Sequence, residues 1–282
     1  WAQLNANHWE RWNTSGTRLD NAVNVNGHMG LNNNWDVHLG GTVAGLTPSY
    51  CDRCTRGGPV MRESRGFFPW GGVNTDSRRP VSGGMWVNVS LTDEGKSYGT
   101  SLSPYVNLRA STRLQAGVQL NHSQQHDNTQ WYGNFADAQG ATHFTFAHLD
   151  QRTVSMSTRV NYTATPNLSF ELYGEPFVST GSYDDVREVS STPGADAYAD
   201  RFRPYTAPSG ATSSFRYTQL RTNTVIRWEY RPGSTLFLVW TQGRQDASDA
   251  DRRQSWGRDY RDLFALHPDN TFLVKVAYWF DR

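Results

Sequence analysis

No run of eighteen consecutive apolar residues occurs anywhere in the 282 residues, so no segment reads as a helix long and apolar enough to cross a bilayer. Lysine is almost missing: Lys96 and Lys275 stand against 25 arginines. Charge of one sign is missing as well, because 27 basic and 26 acidic residues leave a formal net charge of +1, which gives no electrostatic reason to expect nucleic acid. Apolar residues reach only 37% and the mean hydropathy is −0.68, low for a chain that hides two large cores. The opening segment, 1–13, lacks the basic-then-apolar pattern of a signal peptide, so the chain reads as a mature product or a fragment.

Cysteine is scarce. Cys51 and Cys54 lie in Tyr50-Cys51-Asp52-Arg53-Cys54-Thr55-Arg56-Gly57-Gly58-Pro59, with no second pair to complete a four-ligand zinc site. A small-loop disulfide in an oxidising compartment is the first reading. Free thiols and a redox pair are the others, and the redox reading lacks the strand-to-helix context it needs. The eight histidines show no His-Glu-x-x-His or similar spacing, so neither a metal centre nor a cofactor is expected. His122 and His126 could hold a cation at a strand end, although exposed histidines there are more often simply solvated. The acidic stretch Asp246, Asp249, Asp251 lacks the ligand and glycine spacing of a calcium loop.

Aromatic side chains are plentiful, with 11 Trp and 13 Tyr, and such rings are favoured where one end is apolar and the other wet. The dominant pattern is alternation with period two, in segments as long as the roughly nine to eleven residues of a tilted membrane-crossing strand. Leu220, Thr222, Thr224, Ile226, Trp228 and Tyr230 alternate with Arg221, Asn223, Arg227 and Glu229. Val154, Met156, Thr158, Val160 and Tyr162 alternate with Ser155, Ser157, Arg159 and Asn161, and Leu114, Ala116, Val118 and Leu120 alternate with polar neighbours. About twelve such strands are predicted, at 1–13, 18–31, 35–46, 60–72, 80–92, 96–109, 113–126, 142–164, 168–181, 215–230, 234–245 and 271–281. Short turns and longer connections at 46–59, 126–141, 182–214 and 246–268 mostly alternate, as periplasmic turns and extracellular loops would. No helical period of 3.6 stands out. The expected fold is an all-β, antiparallel transmembrane β-barrel, with residues 1–282 as one outer-membrane domain of about 12 strands, and more if strands lie upstream.

The last strand carries Phe272, Val274, Val276, Tyr278 and Phe280 on one row. It resembles the C-terminal signal read by the barrel insertion machinery, with Val276, Tyr278 and Phe280 as its closing residues and two extra residues after Phe280. Several stretches together resemble a family: Thr55-Arg56-Gly57-Gly58-Pro59, Phe146-Ala147-His148-Leu149-Asp150-Gln151, Tyr162-Thr163-Ala164-Thr165-Pro166-Asn167-Leu168, Arg227-Trp228-Glu229-Tyr230-Arg231-Pro232-Gly233-Ser234 and His267-Pro268-Asp269-Asn270. The family is the C-terminal outer-membrane β-barrel domain of bacterial surface proteins that carry a family 9 carbohydrate-binding module upstream. The resemblance implies a surface-associated barrel, and it makes a small solute or saccharide the natural ligand to expect.

On the polar rows, Arg109, Arg113, Arg159, Glu171, Glu175, Arg221, Arg227 and Glu229 are the expected lumen-lining charges, lining a pore or plugging a narrow lumen with ion pairs. Unpaired guanidiniums in a small interior are costly, so an Arg/Glu network is expected, with Glu229 nearest Arg227 or a cross-strand arginine. The function expected is an anchor or a narrow channel for a small solute or saccharide. Two rivals stand beside it: a soluble β-sandwich that binds carbohydrate, and a surface hydrolase drawing on His122, Ser123, Asp127 and His148. Spacing alone cannot select a triad, and non-enzymatic function is the leading reading. The expected partners are outer-membrane lipid and the insertion machinery.

Overall fold

The alternating rows do become strands. A computed structural model describes residues 1–248 and 256–280. Its strands are β1 (Ala2–Trp12), β2 (Arg18–Gly30), β3 (Asp36–Ala44), β4 (Tyr50–Cys51), β5 (Met61–Arg62), β6 (Gly66–Asn74), β7 (Val81–Thr92), β8 (Ser97–Arg109), β9 (Leu114–Ala136), β10 (Thr142–Thr165), β11 (Leu168–Val189), β12 (Phe202–Pro204), β13 (Ser214–Arg231), β14 (Ser234–Ser248) and β15 (Asp269–Ala277), with one helix, α1 (Trp256–Ala265). Twelve of them form one antiparallel meander, β1-β2-β3-β6-β7-β8-β9-β10-β11-β13-β14-β15, matching the twelve predicted segments in order. β12 adds to β11, and β4 pairs with β5.

Register sorts the two faces. Val73 faces Met85, Val106 faces Val118, Val160 faces Leu172 and Ile226 faces Leu238. Because side chains alternate across a strand, a one-residue slip would move every one of these to the polar side. The apolar row stays exposed: Leu39, Val106, Leu172 and Val274 are among the large hydrophobics that keep about half or more of their surface uncovered. Such a face is stable only against another apolar phase.

The connections sort into two ends. At one end are only short ones, residues 31–35, 75–80, 110–113, 166–167 and 232–233; Asn34 (φ 60) and Gly233 (φ 75) adopt the left-handed backbone these tight turns need. At the other end the strands run on. β9, β10 and β11 have 23, 24 and 22 residues, about twice what a bilayer crossing takes.

Several predicted boundaries are corrected. The fourth long strand starts at Gly66, because residues 50–62 form the small β4–β5 hairpin instead. Residues 126–136 and 182–189, read as loop, extend β9 and β11, since loops packed against them cover their outer halves. The helix α1 lies in a stretch read as connection; its apolar Leu263 is fully buried against Val178 and Leu220, a tertiary contact that a short, mostly polar segment does not advertise. The last strand ends at Ala277. The sheet is also not closed: among the described residues β1 pairs only with β2 and β15 only with β14, so the barrel expected whole or in larger part is here a twelve-strand sheet with two open edges. Of the acidic stretch, Asp246 falls on β14, and Asp249 and Asp251 lie outside the described residues.

Candidate functional site

Seven of the eight predicted charges fall on the polar rows of strands, and Arg113 lies outside them. Arg109 pairs in register with Gln115, Arg159 with Tyr173, Glu175 with Arg221, and Arg227 with Ser169; Arg113 sits in the turn just before β9. Arg227 and Glu229 form an ion pair at 3.3 Å, two residues apart on one strand. Glu229 also accepts the Gly233 backbone N–H, and so ties the β13–β14 turn. Arg159 lies over the Tyr173 ring at 5.7 Å, and the Tyr173 hydroxyl donates to Glu175 at 2.6 Å. Arg109 donates to the Ser77 carbonyl. Among the described residues the expected network is represented by the Arg227–Glu229 pair, and the other acids and arginines are spread along the face.

The same polar face carries a cluster that no motif announced. His28, His38, Trp70 and Trp86 come from β2, β3, β6 and β7, at the short-turn end. His28 Nδ1 and His38 Nδ1 are 2.8 Å apart, His28 Nε2 meets Asn26 Oδ1 at 2.9 Å, and His38 Nε2 meets Asn74 Nδ2 at 3.1 Å. The Tyr105 hydroxyl donates to Asn74 Oδ1 at 2.8 Å. His38 stacks on Trp86 with centroids 5.0 Å apart, and Trp70 lies 6.0 Å from Trp86. Gly40 and Gly72 make room: a Cβ on either would come within 2.6 Å of the Trp70 ring or 2.5 Å of the Trp86 ring. The sequence signal was present in the glycines and tryptophans, but their meeting depends on the register of four strands.

At the opposite end, the Cys51–Cys54 disulfide is formed and lies in the connection between β3 and β6. Beside it opens a cleft of about 660 Å³, lined among others by Arg62, Glu63, Arg65, Glu94, Asp196 and Arg201. Burial, reinforced by the charge of Asp20, pushes the Glu63 carboxyl up. Arg201, itself 4% exposed, donates to the carbonyls of Arg62, Ala195 and Asp196 and so fastens the 190–204 segment to β5. The imagined hydrolase triad does not assemble. His122 and Ser123 are neighbours on β9 and point to opposite faces, Asp127 accepts the Thr129 N–H, and His148 is held by Asp184.

The rim has a titrating pair. His143 Nδ1 lies 2.5 Å from Glu188 Oε2 and its Nε2 is 3.5 Å from Asp137. The hydrogen bond with Glu188 raises the His143 pKa above its ordinary value. Glu188 is pulled both ways: burial raises it, but the bonds from His143 and Arg203 outweigh this and hold it low. The Ala141 N–H does the same for Asp137. A raised histidine stabilises below its unfolded pKa, about 6.5, and loses that contribution as pH rises through the folded value. Depressed carboxylates stabilise above about pH 4 and lose it as pH falls. Backbone amides at 142–145 and 187–189 should therefore be best protected from hydrogen exchange near pH 5–6 and lose protection toward pH 9. An unchanged protection factor across that range, or the same loss in His143→Gln, would count against the pair.

The model of the family described as Domain of unknown function (DUF5916) matches residues 2–282. The chain belongs to this family. Among solved structures it is similar to the siderophore receptor PiuA from Acinetobacter baumannii, with a TM-score of 0.54 and 7% identity over 98% of this chain and 46% of that one. It is also similar to a copper transporter, OprC, with a TM-score of 0.50 and 10% identity over 98% of this chain and 40% of that one. At such low identity the likeness shows the fold alone: this DUF5916 chain shares its all-β antiparallel fold with these two structures. It spans less than half the length of the two structures. No curated protein matches it, and none of these matches involves a family 9 carbohydrate-binding module.

Proposed function

We propose that the chain is the larger part of an outer-membrane β-barrel that binds or passes a small polar solute, a saccharide fitting the polar face best. The apolar rows face lipid, the polar rows with Arg109, Arg159, Glu171, Glu175, Arg221, Arg227 and Glu229 face the lumen, with Arg113 in the turn before β9, and further strands join the open edges β1 and β15. Val276, Tyr278 and Phe280 present the row that the insertion machinery reads.

The observation that carries this reading is the Trp70–Trp86–His38–Asn74 cluster. It sets two half-exposed indole faces beside amide and imidazole groups on an otherwise polar surface. Flat apolar rings next to convergent hydrogen-bonding groups match a sugar, whose ring has C–H faces and a hydroxyl rim. The test uses the full-length protein in planar bilayers, with neutral oligosaccharides added as blockers of the current. Trp86→Ala should weaken block about tenfold, roughly 1.4 kcal/mol, while Trp86→Phe retains most of it. Extraction from membranes by buffer without detergent, or sugar block indifferent to Trp86→Ala, would overturn the reading.

A further inference from the structure

A second cluster lies on the other face, outside the bilayer-spanning stretch. β10 carries Phe146, His148, Asp150, Arg152 and Val154 on one row, and Asp150 is fifteen residues from the strand's short-turn end at Thr165, beyond the roughly nine to eleven that span the bilayer. There His126 from β9 and Asp184 from β11 converge on it. His126 Nδ1 is 2.8 Å from Asp150 Oδ1, His148 Nε2 is 2.8 Å from His126 Nδ1 and 3.8 Å from Asp150 Oδ1, and His148 Nδ1 is 2.5 Å from Asp184 Oδ1. Tyr98 stacks on the His126 ring with centroids 4.5 Å apart.

Hydrogen bonding holds this arrangement only through a single proton shared between two acceptors. His126 Nδ1 has one site, either a proton or a lone pair, yet it meets two partners. If it donates to Asp150, it cannot accept from His148; if it accepts from His148, its lone pair faces a carboxylate oxygen. The Asp184 contact calls for a proton on His148 Nδ1, and in the neutral ring Nε2 is then a lone pair facing the other two atoms. Three electron-pair donors then converge on one point with at most one proton among them.

We infer that His126, His148 and Asp150 bind a divalent transition-metal cation of the zinc and copper class, with Asp184 as the outer carboxylate that orients His148. The geometry fits. The three separations define a circle of radius about 1.9 Å, so a point about 2.0–2.1 Å from all three atoms, the usual Zn–N and Zn–O distance, lies just off their plane. Two imidazoles and one carboxylate select such an ion over calcium or magnesium, which take oxygen. Three protein ligands leave a fourth position open. Asp184–His148 repeats the carboxylate–histidine–metal arrangement that sets tautomer and ring angle.

The backbone is bent to make it. The β9 register gains a residue between Asp127 and Gln130, opposite Leu149 and Ala147. β11 gains one between Asp184 and Arg187, where Asp185 sits at φ 44. Bulges of this kind re-aim side chains at the cost of ladder bonds, and a non-glycine residue in that conformation is itself unfavourable. Both flank His148.

Zinc alone is the probe, added to full-length protein in detergent that has been stripped with chelator. Wild type should bind Zn²⁺ at this site, and the ion should slow hydrogen exchange at 125–128 and 147–151. Asp150→Asn, which changes one atom on a half-exposed side chain, should weaken binding at least tenfold. Asp184→Asn should do so by about 10–100-fold, and His126→Ala/His148→Ala should abolish the zinc-dependent protection. The same stoichiometry and affinity in all three variants, or no zinc-dependent protection in wild type, would overturn the site. The second readout needs no variant to fold.

Discussion

Phe146→Ala should release the loops that cover the outer halves of β9–β11. Phe146 is 1% exposed and packs with Met61, Tyr198 and Phe202, its ring edge-on to Phe202 at 5.6 Å. Met61 belongs to the β4–β5 hairpin, and Tyr198 and Phe202 to the segment that follows β11, so one side chain holds two separate connections. Truncating a buried phenylalanine costs about 3–5 kcal/mol. That falls on the loops packed at the far end of β9–β11 rather than on the long strands themselves, which keep their ladders. Limited proteolysis should newly cut near Arg53, Arg56 and Arg65, and amides at 198–204 should exchange faster by about two to three orders of magnitude. Unchanged protection of 198–204 would show that Tyr198 is held by its polar contacts alone, namely its hydroxyl with Thr129 Oγ1 at 2.8 Å and Asn128 at 2.8–2.9 Å.

Arg216→Ala should detach α1. Arg216 on β13 donates to Asp259 on the helix, and Asp262 lies 3.7 Å from the same guanidinium; the Arg216 and Asp259 side chains are 10% and 6% exposed. Removing one member of a buried ion pair costs about 3–5 kcal/mol. The apolar contact of Leu263 with Val178 and Leu220 cannot offset that. Amides of 257–265 should lose protection in Arg216→Ala, whereas replacing both buried partners, Arg216→Met with Asp259→Leu, should restore most of it, because both buried charges are then exchanged for apolar groups. If the single and double substitutions expose the helix equally, the ion pair's role is positional and the apolar contact is what fails.

The two cases explain what could be read in advance. Period-two alternation belongs to each strand separately, so Val160 against Arg159 and Ile226 against Arg227 marked their faces without any partner. The twelve long strands followed from that pattern, as did the short-turn end. Near Phe146 and Val178 the same apolar row is present but is covered by protein instead of left exposed, and alternation cannot distinguish the two. That is why residues 126–136 read as loop and α1 escaped notice.

By itself the sequence determined that the chain is an all-β antiparallel meander with one apolar and one polar face, because side-chain direction along a strand is a local property of two-residue period. It also carried the disulfide as a first reading, since a three-residue separation of two cysteines is again local. Only the tertiary structure decided which side chains meet across strands: His28 with His38 and Trp70 with Trp86 on one face, and His126, His148, Asp150 and Asp184 on the other. Those meetings depend on how far each strand slides past the next, and that is set by turn lengths and by single-residue bulges such as those beside Asp127 and at Asp185. It likewise left β1 and β15 as open edges, because closure depends on the number and stagger of all the strands together rather than on the pattern within any one.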